Sequence, residues 1–536
     1  MKELKIEELS LEQKIGMTLI AYVSWDGKNV DYIIDLVKKR SLGAVWVVPK
    51  IAGSADIIKR IKAAADYPIL IFTDAESGLG DFMIGRHNTI GCTGSEELAY
   101  TFGKVTAIQA RALGYNVVCN PILDMANDNY SCGGNVRSLG SDKEQVAKLA
   151  AAVARGMHDG GVLTVGKHYP GNGEDGSIDT HMAESFSMLT EKELLDYNLY
   201  PYMELDRQGL LDGIMVSHAR FANIDPDRPA SLSKKCIDII RRQGFDGLSL
   251  TDALVMMGIV AKFGREKPVP MAIEAGNDLS LPFNPENEAM YNYTMQGYLD
   301  GMITDERLNE AVRRVLDAQR KTIPEPKFRE ITEEDKVLFD RLNRDSIIEI
   351  CDEGIPKALD RSKKYFFAVT TEMPMDIEDR DKVEVATFTS PWYDPFYITD
   401  KIKELFPNSA VELIPQYPTP TDNWRILEKS LGLETVFVTF FPVYSFIGEE
   451  HFTSRIISLI SAMQVTDRIS TIVHFGNPYL LEDLPHTPRT VIAPASTDST
   501  GYAIDVLAGE LEARGTLTYN VKFNQKGDLP YERIGL

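Results

Sequence analysis

The sequence predicts an α/β protein with an N-terminal (β/α)8 TIM-type barrel and a smaller C-terminal α/β domain. Three observations lead to this prediction. The chain has 536 residues, enough for two or three domains with full cores. Short apolar runs alternate with helical stretches over about the first 320 residues. Polar side chains recur at the ends of those runs, where the loops of a barrel carry its active site.

The apolar runs of the first part are typical of strands that are buried on both faces of a parallel sheet. Each is too short to form a helix and is rich in Val, Ile or Leu, without strict alternation of polar residues. We predict strands at 44–48, 69–72, 117–123, 162–165, 213–216, 248–250 and 278–281.

Helix start and stop signals lie between several of these runs. Ser10, Ser141 and Thr190 are each followed three residues later by Gln or Glu, which predicts a capping box at each helix start. Glycines that would end helices in a left-handed conformation occur at Gly114, Gly160 and Gly209. A doubly wound open sheet is the alternative fold, but no G-x-G-x-x-G motif follows the first strand to support nucleotide binding.

Polar residues stand at the C-terminal ends of most of the predicted barrel strands. These residues are Asp74, Glu76, Asn120, Asp124, Lys167, His168, His218 and Asp252. In a barrel, the C-terminal ends of all strands lie on one face, around one pocket. One active site therefore accounts for all of them, whereas a structural explanation needs a separate cause at each strand.

The chain changes character after Lys321. The following stretch is rich in Pro and charged residues, which is the composition of a linker leading into a helix. We place the barrel at 1–321, the linker at 322–345 and a C-terminal α/β sandwich domain at 346–536. In that domain, strands are predicted at 365–369, 383–388, 436–441, 471–475 and 490–493, and helices at 398–406, 454–463 and 502–514.

Composition and charge narrow the classes of partner. The formal net charge is −22, which argues against nucleic acids and anionic membranes, because these require a basic surface. The five cysteines show no C-x-x-C spacing, so neither a disulfide framework nor a metal site is predicted. The N-terminus is unlike a signal peptide, and no apolar run reaches the ~18 residues of a membrane span. We expect a cytoplasmic protein without a cofactor, and its oligomeric state stays unknown.

One loop carries the strongest functional signal. An apolar run leads directly into Lys167 and His168 and then into a Gly- and Pro-rich segment, after which Asp179 stands two residues before His181. The Asp179 carboxylate is placed to accept a hydrogen bond from the imidazole and set its tautomer. Asp252 ends a buried strand, which provides the rigidity that a nucleophile needs. This mixture suits a small carbohydrate substrate that is cleaved by a carboxylate and an acid/base.

These residues lie in segments that resemble glycoside hydrolase family 3, specifically its β-N-acetylglucosaminidase branch. Residues 244–256 (GFDGLSLTDALVM) are similar to the family's nucleophile segment. Residues 166–173 (GKHYPGNG), followed by the Asp-x-His element, are similar to the branch's acid/base signature. Further similar segments are RSLG at 137–140, MVSH at 215–218, AGND at 275–278, RL at 307–308 and RRVL at 313–316.

The resemblance implies a role for each site residue. Asp252 would be the nucleophile and His181 the acid/base, assisted by Asp179. The sugar hydroxyls would be bound by Asp74, Arg137, Lys167, His168 and His218. In one departure from the family pattern, five residues rather than four separate Gly173 from Asp179.

The predicted function is that of a retaining exo-β-N-acetylglucosaminidase. Such an enzyme hydrolyses terminal β-linked N-acetylglucosamine from cell-wall muropeptide or chitooligosaccharide fragments through a covalent glycosyl-aspartate intermediate. One alternative is a phosphorylase, because a neutral histidine repels an attacking phosphate less than a carboxylate would. The others are a β-glucosidase of the same family, in which a Glu of the second domain is the acid/base, and a catalytically silent sugar-binding protein.

Overall fold

The computed structural model describes residues 2–126, 134–172, 179–323, 329–355, 358–371, 393–440 and 452–528. The chain divides into two compact units. The first comprises Met1–Met83, Ser95–Met125 and Asp142–Phe339, and the second Ile84–Gly94, Ala126–Ser141 and Asp340–Leu536. Two short segments from the N-terminal part thus group with the C-terminal unit, so no single cut in the chain separates the two. A helix, Glu333–Asp345, occupies the second half of the predicted linker.

The first unit is the predicted barrel of parallel strands. Within the described residues, seven strands form one sheet in which each strand pairs with the next one of the barrel along the chain. They are β1 Ile20–Tyr22, β2 Ala44–Trp46, β3 Leu70–Thr73, β4 Val117–Val118, β5 Leu163–Tyr169, β6 Gly213–Val216 and β7 Leu248–Thr251. Every neighbouring pair is parallel.

A short eighth segment closes this sheet on itself. Leu279 bridges in the parallel sense to Leu250 of β7, and Ser280 bridges in the same sense to Leu19, just before β1. The two edges of the sheet are therefore joined by the last of the predicted runs. This closure confirms the (β/α)8 prediction.

Helices alternate with the strands of the barrel. The connecting α-helices are Val30–Lys38, Ser54–Ala64, Glu96–Leu113, Lys143–Gly160, Tyr200–Arg207, Lys234–Arg242 and Pro268–Ala275, with Asp305–Lys321 after the eighth segment. Additional helical pieces are Ile6–Glu8, Leu11–Met17, Glu191–Glu193, Leu194–Asn198, Ala230–Leu232, Met257–Phe263 and Asn287–Leu299. Two small ladders pair Gly78–Leu79 with Phe82–Met83 and Phe186–Ser187 with Arg220–Phe221. In the described parts of the chain, no helix combines the length and apolarity needed to cross a membrane.

Local sequence signals set several helix ends. Ser10 and Thr190 form the predicted capping boxes. The predicted box at Ser141 is wrong, because the Asp142 carboxylate accepts the free backbone N–H groups of that helix, while the Ser141 hydroxyl donates to the Thr518 carbonyl. Glycines of positive φ follow the helices at Gly114, Gly161 and Gly209, so the second of them lies one residue later than predicted.

The strands differ from the predicted runs at three places. No predicted run matches β1, Ile20–Tyr22. The run at 117–123 forms a strand over only two residues, since Pro121 lacks the N–H that a ladder needs. In contrast, β5 extends through Lys167 and His168, because the N–H of Leu123 donates to the Lys167 carbonyl at 2.7 Å and continues the pairing.

In the residues that the structure describes, the second unit is built on a sheet of six strands. Its spatial order is Ala410–Pro415, Tyr365–Thr371, Glu434–Phe440, Ile469–Phe475, Arg489–Ala493 and Ile348–Cys351. All pairs are parallel except the last, which is a doubly wound arrangement. Its helices are Asn88–Thr93, Gly134–Arg137, Pro395–Leu405, Pro420–Lys429, Ser454–Gln464, Pro478–Asp483 and Thr497–Ala508. The strand predicted at 383–388 lies outside the described residues.

Both faces of this second sheet are covered. Along Tyr365–Thr371, Phe366 and Ala368 enter one hydrophobic cluster, while Phe367 and Val369 enter another. Burial on both faces explains why the strand has a continuous apolar sequence rather than an alternating one. The strands Ile348–Cys351 and Ala410–Pro415, which carry more partly exposed residues, are the ones that the sequence pattern does not predict.

Candidate active site

The predicted nucleophile lies at the end of β7, held by the backbone on both sides. The N–H of Asp252 donates to the Val216 carbonyl of β6 at 3.0 Å, and its Oδ1 accepts from the N–H of Ala253 at 2.7 Å. Oδ2 lies 3.9 Å from Nε2 of His168, beyond hydrogen-bond distance. One carboxylate oxygen is thus fixed and the other is available, with 20% of the side chain exposed.

The surroundings of Asp252 favour its ionised form. Burial alone would raise the pKa of this carboxyl group. The opposing influence of His168, His218, the Ala253 N–H and Lys167 is larger, so the pKa lies below its ordinary value. Asp252 is therefore a carboxylate at neutral pH, as a nucleophile must be.

His168 is held against β4 by an acidic partner. Its Nδ1 lies 2.6 Å from Oδ2 of Asp124, and its backbone N–H donates to Oδ1 of the same residue at 3.1 Å. The amide of Asn172 donates to the Asp124 carboxylate at 3.1 Å. These contacts orient the ring so that Nε2 points toward Asp252.

Lys167 is anchored by two carboxylates that follow β3. Its Nζ lies 2.5 Å from Asp74 Oδ1 and 2.6 Å from Glu76 Oε1. The lysine side chain is 3% exposed, whereas that of Asp74 is 51% exposed. Asp74 is therefore more exposed than the lysine that it contacts, and Lys167, which is itself held by Glu76, keeps it in place.

His218 is fully buried, and both of its ring nitrogens have protein partners. Nδ1 lies 2.8 Å from the Ser231 hydroxyl, and Nε2 lies 3.0 Å from the carbonyl oxygen of Ala253. Burial lowers the pKa of the imidazole, although the negative charge of Asp252 acts in the opposite sense. A neutral ring with hydrogen on Nε2 satisfies both contacts. His218 thus fixes the backbone next to Asp252.

The Asp-x-His element forms the predicted pair. Nδ1 of His181 lies 2.7 Å from Oδ1 of Asp179, and the same oxygen accepts the backbone N–H of His181 at 2.9 Å. Asp179 is largely buried, whereas the histidine side chain is 30% exposed. Because Nδ1 is engaged by Asp179, Nε2 is the ring nitrogen that the predicted acid/base role would use. The loop is tied to the nucleophile's side of the barrel, because the N–H of Gly258 donates to the Thr180 carbonyl at 3.0 Å.

Two further parts of the predicted site are Arg137 and the loop residues 173–178. Arg137 is half-buried at the end of the short helix Gly134–Arg137, which belongs to the second unit. The lengthened part of the acid/base loop, 173–178, lies outside the described residues. The role assigned to Arg137 stays a prediction.

Sequence reasoning left two of the supporting carboxylates without a role. Glu76 and Asp124 contact Lys167 and His168 directly, yet the resemblance assigns functions only to the residues that they hold. Their place at the ends of β3 and β4 was the available signal. Their charge partners became identifiable only in the folded barrel.

Other segments of the family resemblance form a buried charge network behind the strands. Asp278 is fully buried and accepts from the guanidinium groups of Arg241, Arg307 and Arg314, at 3.1, 2.7 and 3.3 Å. Its Oδ2 also accepts from the backbone N–H of Ser249 in β7 at 3.0 Å. The AGND, RL and RRVL segments therefore hold the strand that carries Asp252.

No group of three or more His, Cys, Asp or Glu side chains that could hold a metal ion occurs among the residues described. What this arrangement offers is a rigid carboxylate, a histidine with an acidic partner and a set of anchored polar side chains. Such a combination fits cleavage of a glycosidic bond.

Comparison with known proteins agrees with this chemistry. Residues 3–318 match the family model described as the glycosyl hydrolase family 3 N terminal domain. The chain belongs to glycosyl hydrolase family 3.

Two relatives are similar to part of this chain. A beta-N-acetylglucosaminidase/beta-glucosidase from Cellulomonas fimi is 28% identical over an alignment of 331 positions, which covers 58% of this chain and 57% of that protein. A beta-hexosaminidase from Tolumonas auensis is 31% identical over an alignment of 238 positions, which covers 42% of this chain and 70% of that protein. The match to the first relative thus spans little more than half of its length.

A solved structure extends the likeness to the whole fold. A glycoside hydrolase family 3 beta-N-acetylglucosaminidase from Paenibacillus sp. str. FPU-7 superimposes with a TM-score of 0.77 at 24% identity. The likeness covers 96% of this chain and 100% of that one, so both units have counterparts there.

Proposed function

We propose that the protein is a retaining exo-β-N-acetylglucosaminidase, with Asp252 as the nucleophile and His181, assisted by Asp179, as the acid/base. One observation carries the proposal. The loop that holds the Asp179–His181 pair is hydrogen-bonded to the helix that begins shortly after the ionised carboxylate of Asp252. The names of the relatives support the sugar specificity.

In the first step, Asp252 Oδ2 attacks the anomeric carbon of the terminal sugar. The bond from that carbon to the leaving oxygen breaks, and its electron pair stays on the oxygen, which takes a proton from Nε2 of His181. The Asp179 carboxylate stabilises the charged imidazolium before this transfer. A glycosyl-Asp252 ester remains.

In the second step, water attacks the same carbon while neutral His181 accepts a proton from it. The ester bond to Asp252 breaks, and the carboxylate is regenerated. Two inversions at one carbon give overall retention. The anchored Asp74 and His168 bind sugar hydroxyls, and Arg137 completes this set in the proposal.

The substrates that fit the proposal are cell-wall muropeptide or chitooligosaccharide fragments ending in β-linked N-acetylglucosamine. A cytoplasmic location goes with the proposal. The negative net charge of −22 suits a small carbohydrate partner rather than a polyanion.

The test compares an aryl β-N-acetylglucosaminide with the corresponding aryl β-glucoside and follows the first-formed anomer by NMR. We expect preference for the N-acetylated sugar and a β-anomer as the first product. Asp252→Ala should abolish turnover, and Asp227→Ala, which removes a carboxylate that follows β6, serves as the control. An α-anomer as the first product, or less than a tenfold loss in Asp252→Ala, would refute the covalent mechanism.

A second candidate is a phosphorylase of the same sugar. The acid/base of the proposal is a histidine, which is neutral when the second nucleophile arrives and therefore repels phosphate less than a carboxylate would. Addition of inorganic phosphate decides between the two. Faster turnover with formation of a sugar 1-phosphate favours the phosphorylase, and no effect favours hydrolysis.

A further inference from the structure

The helix Met257–Phe263, which begins five residues after Asp252, has no side-chain cap at its N-terminus. Two of its first N–H groups instead have partners in the loop that carries His181. The N–H of Gly258 donates to the Thr180 carbonyl at 3.0 Å, and that of Met257 donates to the His181 carbonyl at 3.4 Å. The loop carbonyls thus replace the missing cap, which satisfies donors that would otherwise be orphaned.

This contact requires a glycine at position 258. A Cβ on Gly258 would lie 2.7 Å from the Ala183 carbonyl oxygen and 3.0 Å from that of Thr180. Both neighbours are backbone atoms, so a side chain could be accommodated only if the loop moved. The glycine lies in a helix and has no positive φ, so its own backbone conformation doesn't require glycine.

Hydrogen bonds within the rest of the loop connect Ala183, through Asp179, to the imidazole of His181. The N–H groups of Met182 and Ala183 both donate to the Asp179 carbonyl, at 2.8 and 3.2 Å, which makes 179–183 one compact turn. The Asp179 side chain then fixes His181 through its ring and its backbone. A shift of this turn would therefore move Nε2 relative to Asp252.

We propose that Gly258 is a positioning residue that sets the distance between the acid/base and the nucleophile. The inference rests on the proposed function for its catalytic consequence, but the contact itself doesn't depend on the substrate. The helix Met257–Phe263 holds the loop 179–183 through backbone hydrogen bonds and through the close backbone contact at Gly258, where no side chain fits. We call this contact the clamp. Displacement of the turn should impair proton transfer and leave the nucleophile in place.

The first experiment is Gly258→Ala, assayed with aryl glycosides of graded leaving ability. We expect turnover of substrates with poor leaving groups to fall about 10- to 100-fold, part of the ~10²–10⁴-fold that general acid–base catalysis supplies. Formation of the glycosyl-enzyme from an activated aryl group should change little, and azide, which needs no base, should restore product release. Equal losses for good and poor leaving groups would overturn the proposal.

Gly264→Ala is the matched control. It places the same substitution just after the same helix, where φ is +73° and no atom lies within 4 Å of the added Cβ. It should strain the backbone and lower stability, yet it should leave the dependence on leaving group unchanged. A leaving-group effect as large as that of Gly258→Ala would contradict the proposal.

A second pair of variants tests the hydrogen bond. Met257→Pro removes the N–H at the first helical position, where proline is tolerated, and Met256 before it already has φ −62° and ψ 140°, as a residue preceding proline prefers. Met257→Ala removes the side chain and keeps the N–H. We expect Met257→Pro to lose activity more with poor leaving groups than with good ones, and Met257→Ala to show no such dependence. The dependence in Met257→Ala but not in Met257→Pro would contradict the proposal.

Hydrogen exchange separates this inference from the proposed function. In the wild type, the amides of Met257 and Gly258 should be protected, and Gly258→Ala should increase exchange in 179–183 and 257–260. This result is expected even if the protein cleaves no N-acetylglucosaminide, an outcome that would refute the proposed function alone. Unchanged exchange in Gly258→Ala would overturn the clamp.

Discussion

Three histidines at or beyond the C-terminal ends of barrel strands differ in what their ring nitrogens contact. His181 and His168 each have a carboxylate on Nδ1 and direct Nε2 elsewhere. His218 is held between a hydroxyl and a backbone carbonyl. Because a histidine exchanges protons only through a nitrogen that reaches the ligand, these partners distinguish the proposed acid/base, His181, from His218, which orients the backbone.

His181→Ala should affect the two catalytic steps unequally. An activated aryl group leaves without a proton, so glycosylation of Asp252 should persist, whereas release of the sugar needs a base and should slow by ~10²–10⁴-fold. We expect a burst of the aryl product, a low apparent KM and rescue by azide. His486→Ala is the matched control, because His486 also pairs with an aspartate, Asp352, at 3.2 Å in the second unit. Loss of activity without a burst or rescue would remove His181 from the acid/base role.

His168→Asn should change the pH dependence of the nucleophile. The pKa of Asp252 is lowered, against the effect of burial, in part by His168. Loss of this influence raises the pKa, so the carboxylate becomes protonated at a higher pH. The acid limb of the kcat/KM profile should therefore move to higher pH, in addition to any loss of binding. An acid limb at the wild-type position would contradict this account.

At the scale of secondary structure elements, the charged residues at the two ends of the barrel strands have different roles. The C-terminal ends hold the candidate site. Before β6, at the opposite end, Asp212 is nearly buried and contacts His158 at 2.8 Å and Lys321 at 2.7 Å. The Asp212 carboxylate also accepts the backbone N–H of Thr164 in β5 at 3.1 Å. This network ties two strands to the ends of two helices, which is a structural role.

Asp212→Asn should therefore destabilise the fold without a direct effect on catalysis. Burial would raise the pKa of Asp212, but His158 and Lys321 hold it at about 2. Because the folded-state pKa lies below the unfolded one, the ionised carboxylate stabilises the fold by about 2 kcal/mol at pH 7, and this stabilisation is lost as the pH falls from about 4 toward 2.

Urea unfolding as a function of pH measures this effect. The free energy of unfolding of Asp212→Asn should be lower than that of the wild type at pH 7, and the difference should shrink below about pH 4. Asp206→Asn is the control of opposite sign, because burial raises the pKa of Asp206 and loss of its charge should cost no stability. A difference in Asp212→Asn that is independent of pH would show that the charge isn't responsible.

At the scale of the whole molecule, the second unit includes two segments of the N-terminal part. Cys92 and Ala126, from these segments, join one of its hydrophobic clusters, and the N–H of Thr516 donates to the Cys92 carbonyl at 2.8 Å. A Cβ on Gly85 would lie 2.3 Å from the Ala495 carbonyl oxygen. These contacts make the segments part of the second unit's core.

A fragment that ends at Lys321 should therefore be less stable than the full chain. It keeps Asp252 and His181, but Ile84–Gly94 and Ala126–Ser141 lose the core in which they pack, and their apolar residues become exposed. We expect a lower thermal midpoint and a greater tendency to aggregate, measured beside the full chain at equal concentration. A soluble fragment with the thermal midpoint of the full chain would refute this prediction.

A soluble 1–321 fragment would also test the source of the acid/base. If it were folded and bound ligand normally but couldn't turn it over, an acid/base from the second unit would be implied, as in the β-glucosidase alternative. Turnover by the fragment would agree with His181 in that role.

The barrel class, most of its strands and the contact between Asp179 and His181 were readable in the residue pattern. They depend on local periodicity, on positions at strand ends and on short motifs, all of which are properties of neighbouring residues. The residue pattern did not show four other features. These are closure of the barrel, the partners of His168 and Lys167, the buried contacts of His218 and the contact at Gly258. Each joins residues that are distant in sequence, so it exists only once the strands have been brought into register by packing of the whole unit.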